Sequence, residues 1–442
     1  MPSPQSLTPS ASESDVVIRP ARRVAGILHM PGDKSISHRY AMLAAIAEGT
    51  SRLENYSTGQ DCASTLACLR TLGCDWQRNE AGGSALTIHG RGPQLHAPTG
   101  PLNCGNSGST MRMLSGILAG QEFVSELIGD DSLARRPMAR IIAPLTQMGA
   151  QIDSSEGQRP PLRIHGGKLR AIAYNTPVAS AQVKSSILFA GLFADGVTEV
   201  NEAVRTRDHG ELALRAFGAE VKKDGNRTSL QGGQRLHSIE ATIPGDISSA
   251  AFFLCAAALF PDSQLTISGL LMNPTRARLL DLLTQLGMKI SVTQLEEDHG
   301  ELVGTVKIEG GALTGATIAG ADSAALIDEL PVLAAIAPYS REGIQIQDAA
   351  ELRVKESDRI RVVTQSLRAM GARVEERPDG LAVPGGQSLH GGEIDSRGDH
   401  RIAMAFAVAA LGAQGETRIM NAGAADVSYP GFFRDLAAVV QH

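Results

Sequence analysis

Two hydrophobic rhythms alternate along the chain. In the first, a Leu and a second apolar residue three positions on are followed at once by Gly. It occurs as Leu69…Leu72-Gly73, Leu145…Met148-Gly149, Leu214…Phe217-Gly218, Leu283…Leu286-Gly287 and Leu367…Met370-Gly371. Residues i and i+3 share a helix face, and Gly is the residue best suited to a left-handed stop, so each segment predicts a helix C-terminus. Phe432-Phe433-Arg434-Asp435-Leu436 is a sixth, weaker copy that ends without Gly. In the second rhythm, small or polar residues lead into a small-apolar helix. It covers 38–47, 107–119, 180–192, 248–259, 324–337 and 399–411, with starts 69, 73, 68, 76 and 75 residues apart. Two copies are nearly identical, His38-Arg39-Tyr40-Ala41-Met42 and His400-Arg401-Ile402-Ala403-Met404.

A period near 70 is too long for a solenoid repeat of about 20–50 residues and suits a compact unit of a few strands and two helices. The turn Pro-Gly-Asp occurs at Pro31-Gly32-Asp33 and again at Pro244-Gly245-Asp246, three beats later. The expected architecture is therefore two similar domains of three units each. One spans 33–245, and the other is built from 16–32 and 246–442. Short β runs such as Leu162-Arg163-Ile164 between the helices make the fold α/β (α+β), and a substrate site belongs in the cleft between the domains.

Composition narrows the function. Basic and acidic residues, 41 against 47, leave a net charge of −6, and 4% of residues are aromatic. Neither a broad basic field nor a base-stacking surface is present, so nucleic acid is not an expected partner. The five cysteines form no CxxC pair, which argues for a reducing, cytoplasmic setting and against a structural zinc site. No run of about 18 apolar residues would span a membrane, and residues 1–15, rich in Ser and Pro, read as a flexible leader.

Against this acidic background the cations collect at helix starts. Lys34, Ser35 and Arg39 follow the first Pro-Gly-Asp turn, and uncapped N–H groups with the helix dipole favour an anion there. A capped helix with solvated charges is the plainer alternative, and the stretch alone does not separate the two. The turn from Gly105-Asn106-Ser107-Gly108 to Arg112 suits backbone contact with an anion but is not a Walker loop. Ser180-Ala181-Gln182 and Lys184 open a third helix. Arg135-Arg136 stand before Pro137, expected at the first helical position. Arg207-Asp208-His209 and the run from Arg353 to Arg359 are mixed clusters, with Lys355 and Arg359 expected on one helical face and Glu356 beside them. Asp328, flanked by apolar residues, is a candidate general base whose pKa partial desolvation should raise. No zinc-ligand spacing, nucleophile elbow or activated thiolate is present, so neither metal nor covalent catalysis is expected.

Taken in order, Pro31–Arg39, Gly105–Arg112, Arg136-Pro137-Met138, Ser180–Ser185, Arg207-Asp208-His209, Asn273-Pro274-Thr275-Arg276, Ile327-Asp328-Glu329, Arg353–Arg359 and Asp399–Met404 closely resemble the 5-enolpyruvylshikimate-3-phosphate synthase family of enolpyruvyl transferases. The resemblance implies two domains, each of three βαβαββ units. It implies transfer of the enolpyruvyl group of phosphoenolpyruvate to the 5-hydroxyl of shikimate 3-phosphate, by addition through a tetrahedral intermediate and then loss of phosphate, in a monomer without a cofactor. By motif match, Lys34, Ser35, Arg39, Ser180, Ala181, Gln182, Arg207, Asp328 and Lys355 would hold shikimate 3-phosphate. Lys34, Asn106, Gly108, Arg136, Gln182, Arg359 and Arg401 would hold phosphoenolpyruvate. Asp328 would accept the hydroxyl proton, and Glu356, with Lys34 as competitor, would protonate the methylene carbon. Gly108 implies competitive inhibition by glyphosate.

Two positions depart from the family pattern: Val427 where many members carry Lys, and Glu351 where some carry Asn. The sister transferase acting on UDP-N-acetylglucosamine would have Asn after the first Lys and a mobile-loop Cys, and a non-catalytic anion-binding protein would need neither Asp328 nor Glu356. Seven like charges, Lys34, Arg39, Arg136, Arg207, Lys355, Arg359 and Arg401, should hold the two halves of an empty cage apart.

Overall fold

The six rhythmic helices form as the pattern predicts, and each is apolar because it is enclosed on nearly every side. In the computed structural model, which describes residues 15–78 and 84–442, they are α1 (Lys34–Ile46), α2 (Gly108–Ala119), α3 (Ala181–Gly191), α4 (Ile247–Ala258), α5 (Leu330–Ile336) and α6 (His400–Leu411). Every residue of α4, α5 and α6 is buried, as expected of helices that are hydrophobic all round. The Leu-x-x-apolar-Gly segments end a second set of helices. Gly73, Gly149, Gly218, Gly287 and Gly371 all adopt left-handed φ between +83° and +112°. Residues 1–14 of the expected leader lie outside the described residues. Asp15 is held by Arg418 at 2.6 Å.

A recurring unit is visible in the strand pairing. Leu102–Asn103 runs parallel to Val124–Ile128 across α2, and Gln151–Ser155 and Arg159–His165 add an antiparallel hairpin beside it. The same order of one parallel and two antiparallel pairings recurs around α3 and α5. Around α1 and α4 the first strand of the unit comes from far away in sequence. Glu240–Thr242, just before the second Pro-Gly-Asp turn, pairs with Thr50–Glu54. Arg23–His29, just before the first, pairs with Gln264–Leu271.

The two turns therefore exchange strands between two sets of three larger sheets, apart from a two-stranded pairing of Leu169–Arg170 with Ala194–Asp195, and they touch. Asp33 N–H donates to Pro244 O at 2.8 Å and Asp246 N–H to Pro31 O at 2.9 Å. A Cβ at Gly32 would lie 1.7 Å from Asn55 O, so only glycine permits this approach. Asp33 and Asp246 then cap α1 and α4 by accepting from Ile36 and Ser248 N–H.

Three helix starts differ from expectation. α5 begins at Leu330, six residues beyond 324, because Pro331 sits in its first turn and Ala321–Ala325 forms a separate short helix. Asp358 caps a helix over Arg359–Ala369, so Lys355 lies outside it and shares no helical face with Arg359. The helix after Arg136 starts at Ala139, past Pro137.

Lys184 points away from the cleft into the core, where its Nζ lies 2.7 Å from Glu202 Oε2 and 2.8 Å from Glu211 Oε1, all three side chains being almost fully buried. Removing the cation would strand two buried carboxylates. Lys184→Met is expected to lower the unfolding free energy by about 3–5 kcal/mol. Urea titration checks this, and a loss below about 1 kcal/mol would mean that the cluster is not an ion network.

Candidate active site

All six central helices aim their N-termini at one cleft. The cavity there, about 720 Å³, is lined by Lys34 and Ser35 of α1, Gly108 and Ser109 of α2, Ser180 to Val183 at the start of α3, Asp246 and Ser248 at α4, Asp328 just before α5, and His400 and Arg401 of α6. Six dipole ends add partial positive charge, and the lining holds eleven Lys or Arg against seven Asp or Glu. A protein of net charge −6 thus carries a cationic cleft, which suits a ligand with several negative groups.

Asp328 is the node of the second set's side. Arg207 Nη2 donates to Asp328 Oδ2 at 2.8 Å, Arg401 Nη1 donates to its carbonyl at 2.7 Å, and Arg359 Nη1 stands 3.9 Å from Oδ1. Burial pushes this carboxyl up, but Arg401, Arg207, Lys355 and Arg359 overcome it and hold it well below the usual carboxylate range. The raised pKa expected from desolvation is therefore not found, because the flanking apolar sequence does not reveal the four cations that the fold brings in. Lys355 moves the other way. Burial lowers its pKa against the pull of Asp328 and Glu351.

Glu356 shares Arg359 with Asp328. Arg359 Nη2 donates to Glu356 Oε2 at 2.6 Å, and Arg136 Nη1 lies 3.6 Å from Oε1. Burial again pushes the carboxyl up, and Arg359 and Arg136 bring it well below its ordinary range. Arg359 is itself oriented by Asp399, the cap of α6, through contacts of 2.9 and 3.2 Å. Lys34 donates to Asp61 Oδ2 at 2.8 Å, and despite burial that carboxylate raises the ammonium pKa. Gln182 bridges α2 and α3, accepting from Arg112 Nη1 and donating to Ser109 Oγ, both at 2.8 Å.

Of the sequence-predicted residues, Lys34, Ser35, Gly108, Arg136, Ser180, Ala181, Gln182, Arg207, Asp328, Lys355, Glu356, Arg359 and Arg401 all line the cleft. Arg39 and Asn106 do not. Arg39, in the second turn of α1, is buried between α1 and α3, donating to Ser185 Oγ and the Ser35 carbonyl. Asn106 accepts from Arg136 Nη2 at 2.7 Å and so orients that guanidinium. Val427 is also outside the lining.

Sequence reasoning passed over Arg112, Arg140, Asp61, His400 as a lining group, and Glu351 as an ion-pair partner. Arg140, in the first turn of the helix that follows Arg136, forks onto Glu351 at 3.0 and 2.9 Å across the cleft. Arg140 lies close in sequence to the Arg135-Arg136 pair, a usable signal, whereas nothing local marks Asp61. With Arg207–Asp328 and Arg136–Glu356, this fork bridges the two sides, so anions interleaved with the seven cations offset their repulsion.

A family model described as EPSP synthase (3-phosphoshikimate 1-carboxyvinyltransferase) matches residues 18–436. A 3-phosphoshikimate 1-carboxyvinyltransferase of Koribacter versatilis is 60% identical over 96% of this chain and 99% of its own. One of Solibacter usitatus is 54% identical over 97% and 100%. The solved EPSP synthase of Acinetobacter baumannii superposes with a TM-score of 0.85 at 40% identity, covering 96% of this chain and 98% of that one.

Proposed function

The chain belongs to the EPSP synthase (3-phosphoshikimate 1-carboxyvinyltransferase) family, and from that premise we infer that its cleft transfers the enolpyruvyl group of phosphoenolpyruvate to the 5-hydroxyl of shikimate 3-phosphate, releasing phosphate. It is a transferase of the shikimate pathway and acts on small molecules. The full-length matches do not favour the UDP-N-acetylglucosamine enzyme or a non-catalytic binding protein. The observation that carries the reading is the convergence of six helix N-termini and a surplus of cations on one cleft, because both substrates are polyanions.

In this reading Lys34, Ser35, Ser180, Ala181, Gln182, Arg207, Asp328 and Lys355 hold shikimate 3-phosphate, with Arg39 fixing the Ser35 and Ala181 backbone behind them. Lys34, Gly108, Arg136, Gln182, Arg359 and Arg401 hold phosphoenolpyruvate, with Asn106 orienting Arg136. Bidentate guanidinium groups fit carboxylate and phosphate alike. Asp328, already ionised, takes the 5-hydroxyl proton as oxygen attacks C2 of phosphoenolpyruvate. Glu356 delivers a proton to C3, giving the tetrahedral adduct, and loss of phosphate with removal of a C3 proton regenerates the vinyl group. The strand exchange at the two Pro-Gly-Asp turns supports domain limits of 33–245 and of 16–32 with 246–442. No helix among the described residues is long and apolar enough to cross a membrane, and a cytoplasmic monomer is part of the same proposal.

Phosphate release in the presence of both substrates, and its loss when either is omitted, is the direct test. Release without shikimate 3-phosphate would point to a phosphatase instead. Glyphosate is expected to compete with phosphoenolpyruvate. A Cβ at Gly108 would stand 3.3 Å from Arg136 Nη1 and 3.4 Å from Arg112 Nη1, crowding the phosphoenolpyruvate side. Gly108→Ala should weaken glyphosate inhibition by about 10-fold or more, equivalent to about 1.4 kcal/mol, and raise the KM for phosphoenolpyruvate. Unchanged inhibition constants would remove Gly108 from that contact.

A further inference from the structure

Two of the motifs have partners that the reaction itself does not require. Arg207-Asp208-His209 belongs to the first set of sheets, and Asn273-Pro274-Thr275-Arg276 and Glu301 to the second. Each of the three consecutive residues on the first side binds across the boundary. Arg207 reaches Asp328. Asp208 Oδ1 accepts from Asn273 Nδ2 at 2.9 Å. His209 Nδ1 lies 2.6 Å from Glu301 Oε1, and its Nε2 is 3.3 Å from Arg276 Nη1.

The receiving side is built to stay in place. Asn273 Nδ2 also donates to Glu301 Oε2 at 2.8 Å, while its Oδ1 accepts from Thr275 N–H and Oγ1 at 2.8 and 2.7 Å. Arg276 donates to Asp33 Oδ2 at 3.1 Å and to Ser248 Oγ at 2.8 Å, which ties the network to the capped starts of α1 and α4. His209, Asn273, Arg276 and Glu301 are each at most 4% exposed. Asp208 is held ionised, at about 2: burial raises its pKa, and hydrogen bonds from Asn273 and Arg205 with the nearby Lys223 outweigh that.

Burying this many polar groups at a boundary is costly unless every one is satisfied, and these are satisfied by each other across it. The loop from 203 to 208, by contrast, is exposed at 203–205, half-buried at 206–208 and without regular structure of its own. Its local ties, Thr206 Oγ1 to the Glu202 carboxylate and Arg205 and Lys223 to Asp208, hold the loop to its own side and do not set where the Arg207 guanidinium arrives across the boundary.

We propose that Asp208 and His209 are positioning residues, locked to Asn273, Arg276 and Glu301 of the opposite side, that aim Arg207 across the boundary at Asp328 and the shikimate 3-phosphate subsite. The proposal rests on the reading that Arg207 contacts that substrate. It adds a buried tie to the two chain crossings and the ion pairs across the cleft, and it places that tie one residue from a substrate ligand. Misaiming Arg207 weakens substrate binding before it weakens chemistry.

A double-mutant cycle on steady-state kinetics tests it, using Arg207→Ala, Asp208→Ala and the pair. Asp208→Ala is expected to raise the KM for shikimate 3-phosphate about 10-fold, with kcat and the KM for phosphoenolpyruvate within about 3-fold. In the Arg207→Ala background it should add less than about 2-fold, because the residue it serves is gone. Asp208→Asn, which keeps the acceptor for Asn273, should restore most of the loss. If the Asp208→Ala penalty persists in full in the double variant, or if Asp208→Ala is silent while Arg207→Ala is impaired, the positioning role is overturned. If Arg207→Ala itself leaves the KM for shikimate 3-phosphate unchanged, the subsite reading fails and this inference falls with it. Should Asp208→Ala not fold, Asn273→Ala breaks the same bond from the other side and carries the same expectations.

Discussion

Replacing Asp328 by Asn is expected to lower kcat by about 10²–10⁴-fold with both substrates saturating, the usual worth of a general base. The direction of the binding change separates this role from simple electrostatics. Asp328 stands among Arg207, Arg401, Lys355 and Arg359, so in the free protein it competes with substrate anions for those cations. Removing its charge should leave the KM for shikimate 3-phosphate unchanged or lower it while turnover collapses. A general loss of structure would raise KM and lower kcat together. Asp328→Ala is the harsher control, since it also removes the partner of Arg207. Steady-state kinetics on both variants is sufficient. A kcat within 10-fold of wild type would exclude Asp328 as the base.

The same residue shows where sequence reasoning succeeds and where it stops. That Asp328 lies between apolar runs is legible from local signals, but the rhythm starts the helix at 324 and so misses that Asp328 stands just before it, with Pro331 in the first turn. Its ionisation is not legible, because three of the deciding cations, at 355, 359 and 401, come from distant stretches of the same set of sheets and the fourth, Arg207, reaches in from the other. The glycine stops at 73, 149, 218, 287 and 371 were legible for the opposite reason. A left-handed residue after a helical i, i+3 pair is a matter of φ alone. Lys355 and Arg359 read as one helical face because spacing is blind to the Asp358 side chain, which accepts from Arg361 N–H and starts the helix one residue after itself. Asp61, which holds the Lys34 ammonium, had no signal at all: 27 residues separate the pair.

Glu356→Gln is the second variant expected to be nearly inactive, with kcat lower by about 10²–10⁴-fold, and it bears on how one cleft can hold both an acid and a base. In the free protein Glu356 is an anion, held so by Arg359 and Arg136, and an anion cannot protonate carbon. Phosphoenolpyruvate changes the balance. Its carboxylate and phosphate take the very guanidinium groups that keep Glu356 ionised and set new negative charge beside it. Both effects raise a carboxyl pKa, so the acid is made by the substrate it is to act on. Lys34 is the rival proton source, but Asp61 raises its pKa, which makes the ammonium a weaker acid. The adduct has a methyl group at C3, and its collapse removes one of three hydrogens, so turnover in D₂O should carry solvent deuterium into the vinyl group of the product and of recovered phosphoenolpyruvate. Mass spectrometry of recovered phosphoenolpyruvate follows the exchange directly. If Glu356 is the acid, exchange in Glu356→Gln falls in parallel with kcat. Exchange that survives in Glu356→Gln and disappears in Lys34→Met would transfer the role to the ammonium.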